Sequence, residues 1–436
     1  MRWAAGKYPW SKRFWKSSQA EKGIETDTLK VMVVITAILI LVRFRVPLSA
    51  TLLGSAAALG FLFKLSIPQV AAGFFKGAVD YETLMLIASF ILILFFSAIM
   101  KETGRMTQAI SALQEIFRDA RATVAIIPAI IGILPIMGGA MLSAPLVLEA
   151  SDELNLSPER RTFLNYWFRH IWEYMLPTYP VILLISTIVG IPLSRIVLMN
   201  LPLSVAAIAT GVALGFRGVH PPPRLPAPLT PGNVLRAGFS FVANLLPFLA
   251  VLVLILIFKV HLAYSLAFAS LAVLLYSRPP GSLICRLLKL SFSLELIFLL
   301  LGIMIFKEIL STTGAIDSVA RDFTRMGMPP LVLIIALPAL LGLITGFANA
   351  LVGLGFPILL PFLQNSDAAV VYAMLAYLSG YCAVLLSPMH ICLVMTMEFF
   401  HADLSKVYRL LILPVTLVVL TGAGVAVIFL WGVVGR

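Results

Sequence analysis

Leu134-Pro135-Ile136-Met137-Gly138-Gly139-Ala140-Met141-Leu142-Ser143-Ala144-Pro145 and Thr345-Gly346-Phe347-Ala348-Asn349-Ala350-Leu351-Val352-Gly353-Leu354-Gly355-Phe356-Pro357 are the most heavily Gly/Pro-broken stretches of an otherwise apolar chain. They occupy matching places in a repeat. Pro128, Gly132 and Ala140 fall on Pro338, Gly342 and Ala350 at an offset of 210, as does Glu102-Thr103-Gly104 on Thr312-Thr313-Gly314. The offset becomes 211 for Tyr166/Tyr377, Pro177/Pro388 and Ser194-Arg195/Ser405-Lys406. Shared leucines would mean little here, but prolines, glycines and Ser-basic pairs held at one spacing point to two homologous halves, an organisation common among secondary transporters.

Composition sets the solvent. The 436 residues are 60% hydrophobic and 12% charged, with mean hydropathy +1.01, against about 25% charged in a soluble domain. Helices suit the long apolar runs, because lipid offers no partner to unpaired backbone groups. The fold expected is therefore an all-α polytopic membrane protein. Its net charge of +12 is distributed over short loops, with no basic stripe of the nucleic-acid-binding kind. Cys285, Cys382 and Cys392 are odd in number and lie in apolar segments, which predicts packing residues and no disulfide framework.

Ten spans are expected, near 28–45, 46–64, 80–101, 162–188 and 194–216, then 237–258, 260–277, 292–311, 370–398 and 405–433. Residues 1–27 form a basic, Trp-rich tail that lacks a cleavage site. The first repeat covers 28–216, a Pro-rich linker 217–236 and the second repeat 237–436. Between the third and fourth span of each half, an amphipathic stretch precedes a broken apolar segment, 124–148 and 331–363. Each is read as a re-entrant helical hairpin, since irregular backbone at membrane depth must be buried in protein or face water. Five crossings per half, an odd number, require the second copy to be inverted. Loops on one side carry 16 Lys/Arg against 8 on the other, which predicts a cytoplasmic first side and external termini, although the basic tail pulls the opposite way.

Both hairpin tips could expose polar backbone at mid-depth: Gly138, Gly139 and Ser143 in the first, Thr345, Gly346 and Asn349 in the second. Free amides suit an anion and free carbonyls a cation; close helix packing through small residues is the plainer alternative. The following spans are broken at Leu176-Pro177-Thr178-Tyr179-Pro180 and Leu386-Ser387-Pro388-Met389-His390, where proline frees a carbonyl one turn earlier. Asn165, Arg169 and Glu173 share one helical face at spacing four, beside His170. Arg169 could hold a carboxylate, and Glu173, His170 or His390 could carry a proton. The plainer alternative is Arg169 snorkelling to the headgroups and pairing with Glu173. No catalytic residue, zinc signature or ATPase phosphate loop is recognised.

The block Asn165-Tyr166-Trp167-Phe168-Arg169-His170-Ile171-Trp172-Glu173, with Pro135 to Pro145 before it and Leu385 to Leu393 as its echo, resembles domain-of-unknown-function family 401. That family comprises prokaryotic integral membrane proteins grouped with the ion transporter superfamily. The resemblance implies an inverted-repeat carrier in a prokaryotic inner membrane, a homodimer with an elevator-like hairpin domain. Dicarboxylate members of the superfamily carry Ser-Asn-Thr triplets at the hairpin tips, which this chain lacks. The function expected is cation-coupled transport of a small organic anion, with Na+ or H+ as coupling ion and no other cofactor. The rivals are an intramembrane hydrolase using Ser143 or Ser387 with a histidine, and a passive channel or scaffold.

Overall fold

A computed structural model describes residues 26–44, 46–117, 119–135, 139–220, 231–364 and 368–434. The tail as far as residue 25, linker residues 221–230 and Gly138 lie outside these. All regular structure among the described residues is helical. The first half runs α1 (Thr26–Arg43), α2 (Leu48–Leu62), α3 (Ile67–Val79), α4 (Tyr81–Glu102), α5 (Arg105–Ile116), α6 (Ala120–Ile131), α7 (Gly139–Ala150), α8 (Pro158–His170), α9 (Pro180–Val189) and α10 (Leu193–Gly215). The second half runs α11 (Pro231–Leu256), α12 (Leu262–Ser277), α13 (Gly281–Ser291), α14 (Leu294–Thr312), α15 (Ala315–Arg325), α16 (Pro330–Thr345), α17 (Ala348–Gln364), α18 (Ala369–Leu385), α19 (Ile391–Phe400) and α20 (Leu404–Val434).

Each helix of the first half thus has a counterpart ten labels later. Packing follows the same rule. α2 and α3 lie on α14 while α12 and α13 lie on α4; α5 packs on α11 and α15 on α1; α9 packs on α17 and α19 on α7. Exchange of partners between halves is what a pseudo-twofold relation requires. Equivalent close approaches repeat it. A β-carbon on Gly132 would meet the Arg169 carbonyl at 2.6 Å, and one on Gly342 would strike the carbonyl of Gly380, the residue matching Arg169. Gly211 packs likewise on Trp167, and its equivalent Gly422 on Leu378. At these positions glycine serves close helix packing.

Among the described residues, five stretches are long and apolar enough to cross a membrane: Tyr81–Glu102, Leu193–Gly215, Pro231–Leu256, Gly281–Thr312 and Leu404–Gly432. Large apolar side chains such as Phe239, Phe268 and Ile428 point outward, as expected where lipid is the solvent. The hairpins form as expected, α6 on α7 and α16 on α17. Their entry is set locally. Asp119 caps α6 by accepting the Arg121 amide at 2.9 Å, and Ser157 caps α8 just before Pro158.

Three boundaries need correction. α3 and α13 occupy segments expected to be loops, both being amphipathic helices too short to read as spans; α3 begins at a capping box in which the Ser66 amide donates to Gln69 at 2.8 Å. The linker ends early, because Pro231 suits the first turn of a helix and α11 starts there. Cys285, expected to be a packing residue, is exposed on α13.

Candidate functional site

The two interrupted spans meet at their breaks. α8 stops at His170 and α9 restarts at Pro180; α18 stops at Leu385 and α19 restarts at Ile391. Pro177 has no N–H to give Glu173, and Pro388 none to give a carbonyl one turn back. The freed carbonyls were expected to be available to a ligand, and here the structure differs. The Glu173 carbonyl accepts from the Tyr377 hydroxyl at 2.8 Å; at the second break the Val384 carbonyl, four residues before Pro388, takes the Ser387 amide at 3.0 Å, and the adjacent Leu385 carbonyl at the helix end accepts from the Tyr166 hydroxyl at 3.0 Å. These tyrosines are repeat equivalents, so each half closes the break of the other. Tyr381 donates to the His170 carbonyl at 3.1 Å, Ser204 to Ile171 at 2.7 Å, Asn200 to Tyr174 at 2.9 Å and Tyr408 to Leu386 at 3.0 Å. With these carbonyls occupied, what the breaks offer is side chains.

Arg169 is 3% exposed, so it does not snorkel. Its Nη1 donates to the Tyr179 hydroxyl at 2.6 Å, which donates onward to the Gly132 carbonyl at 2.5 Å. The guanidinium lies against Gly139 at the start of α7, where a β-carbon would come 2.5 Å from Nε. Any larger residue there would push the guanidinium aside. Glu173 lies 3.8 Å from Arg169 Nη1 and 4.0 Å from His170 Nε2. That separation is well beyond the ~2.7–2.9 Å of a charge-assisted hydrogen bond.

His170 and His390 face one another across the halves, Nε2 to Nε2 at 3.3 Å. His170 Nδ1 lies 2.6 Å from the Tyr166 carbonyl and His390 Nδ1 lies 2.8 Å from the Gly346 carbonyl. Gly346 closes α16 at φ +61°, which favours glycine.

The remaining expected residues divide. Asn165 donates to the Ala140 carbonyl at 2.9 Å, but its Oδ1 is buried without a hydrogen-bond partner. Thr178 Oγ1 is in the same state. Ser143 donates to the Ala140 carbonyl at 3.1 Å and Ser387 to the Leu343 carbonyl at 2.7 Å. Thr345 bonds the Leu341 carbonyl at 2.7 Å, leaving half-buried Asn349 as the polar side chain at that tip. The sequence offered no signal for Tyr179, Tyr381 or Cys392, and it presented His390 as a lone histidine.

Helices that are apolar outside, broken at mid-length and charged within define a multi-pass membrane protein. The chain belongs to the family described as "Protein of unknown function (DUF401)", matched over residues 27–431. No curated protein matches it by sequence. It is similar in fold to the YdaH transporter of Alcanivorax borkumensis, whose crystal structure is described as having an unusual topology; the TM-score is 0.59 at 14% identity, over 94% of this chain and 99% of that one.

Proposed function

We propose that the protein is a secondary active transporter of a small organic anion, in the inner membrane of a prokaryote, with its anion site at the Arg169 corner. One observation carries this. A buried guanidinium rests on the first residue of α7, so a fixed cation and the positive end of a helix dipole address the same place, with the Glu173 carboxylate 3.8 Å away. A carboxylate that displaced Glu173 could take Arg169 in a fork. A proton on Glu173 would release Arg169, so anion and proton would bind together; sodium is the alternative coupling ion. Asn165 Oδ1 and Thr178 Oγ1, both without partners, would accept from substrate hydroxyls.

The exchange of helix partners between halves supports an inverted repeat. In an elevator-type cycle the group α6–α10 with α16–α20 would travel as one body, in a homodimer held elsewhere. The hydrolase alternative needs a serine paired with a base, and Ser143 and Ser387 both donate to backbone carbonyls instead. Uptake into proteoliposomes, screened over carboxylates and sugar acids with imposed pH or sodium gradients, tests the proposal. Concentrative uptake lost in Arg169→Ala supports it. Flux that never exceeds equilibrium makes the protein a channel, and a stabilising anion indifferent to Arg169→Ala overturns the site.

A further inference from the structure

The two histidines pose a problem of protons. Backbone carbonyls only accept, so both Nδ1 atoms, at 2.6 Å from the Tyr166 carbonyl and 2.8 Å from the Gly346 carbonyl, must carry hydrogen. Neutral imidazoles protonated at Nδ1 present lone pairs at Nε2. Here those two lone pairs face each other at 3.3 Å, an arrangement that asks for a cation between them.

Three features identify which cation. An Nδ1–H donated to a backbone carbonyl is how proteins fix the tautomer of metal-binding histidines. Two nitrogens bound tetrahedrally at about 2.0–2.1 Å stand about 3.3–3.4 Å apart, the separation found. A third, soft donor completes the set: Cys392 Sγ lies within 4.8 Å of a ring nitrogen of each histidine. Closing the sulfur to a shared ion needs about 1 Å of travel, within reach of a rotamer change. Glu173 Oε1, 4.0 Å from His170 Nε2, or a water would supply the fourth position.

We propose that His170, His390 and Cys392 bind one borderline-soft divalent metal ion of the zinc class. His170 ends α8 and the other two flank the start of α19, so the ion would tie the two breaks together and hold the halves in the present arrangement. The site shares residues with the proposed carrier but does not depend on transport; it rests on the geometry of these side chains alone.

The test uses the purified full-length protein in detergent, stripped with chelator and titrated with Co2+. One ion should bind per chain, giving tetrahedral d–d bands and a thiolate-to-cobalt charge-transfer band, and Zn2+ should displace it. Cys392→Ser should abolish the charge-transfer band, and His170→Gln and His390→Gln should each weaken binding about tenfold or more. Cys392 is only half-buried, so the serine variant is the one expected to keep its fold; an unchanged gel-filtration profile confirms that. Cys285→Ser should change nothing. Absence of saturable binding, which is the outcome if a shared proton occupies the pair, overturns the proposal, as does a charge-transfer band that survives Cys392→Ser. Cobalt binding without any solute flux would leave the metal site standing and remove the carrier; flux without cobalt binding would do the reverse.

Discussion

Tyr377→Phe removes one hydroxyl and leaves the packing alone. The ring is fully buried and stacks on Tyr381 with centroids 5.4 Å apart, so phenylalanine fills the same space and opens no cavity. What disappears is the 2.8 Å hydrogen bond to the Glu173 carbonyl. That carbonyl has no substitute in the helix, because the residue four places on is Pro177. A buried acceptor left unpaired costs about 1–3 kcal/mol; about 2 kcal/mol corresponds to roughly a 30-fold change in the folding equilibrium. Tyr166→Phe strips the Leu385 carbonyl in the same way and should cost a similar amount. Tyr408→Phe is the control: Tyr408 is only part-buried and should cost less, under about 1 kcal/mol. Equilibrium unfolding in mixed micelles, followed by tryptophan fluorescence, gives the three values. If Tyr377→Phe and Tyr166→Phe both fall within about 0.5 kcal/mol of the parent, the breaks are not sealed by hydroxyls from the opposite half, and the account of the site as side chains on a satisfied backbone is wrong.

Thr178→Val replaces a buried hydroxyl without a partner by a methyl of similar size; stability should hold or rise by up to about 1–3 kcal/mol while anion-induced thermal stabilisation is lost, and a destabilised variant would show that Oγ1 has a bond. Gly139→Ala should displace the guanidinium that lies 2.5 Å from the added carbon and abolish anion binding in the same assay. Gly132→Ala meets the Arg169 backbone carbonyl at 2.6 Å and should instead lower stability by about 1–3 kcal/mol, read by unfolding. Asp119→Ala should cost about 0.5–2 kcal/mol through the lost helix cap. The Arg121 guanidinium holds the Asp119 carboxyl below its usual range; this contribution is therefore complete above the ordinary carboxylate pKa near ~3.9 and disappears as pH falls through the lowered value, so parent and variant should converge in acid.

The fold was legible in sequence where duplication left marks that apolar drift does not erase. Pro128 and Pro338, Gly132 and Gly342, and Pro177 and Pro388 sit at backbone positions with few acceptable substitutes. α3 and α13 escaped because an 11- to 13-residue amphipathic helix beside a long span looks like loop. The site was half legible. Asn165, Arg169 and Glu173 could be placed on one face from their spacing, since that face is local. The partners of the freed carbonyls could not, because Tyr377 and Tyr166 come from over 200 residues away and an apolar pattern says nothing of where a hydroxyl ends. For the same reason His390 looked solitary: its contact with His170 spans 220 residues.

The mutual sealing of the breaks has a consequence for synthesis. The first half leaves the ribosome before Tyr377, Tyr381 and His390 exist, so the insertion machinery must shelter the bare Glu173 carbonyl while α11 to α17 are made. Assembly of this core is therefore a late event that awaits α18, and truncation before that helix should yield a product recognised by quality-control proteases rather than a stable half.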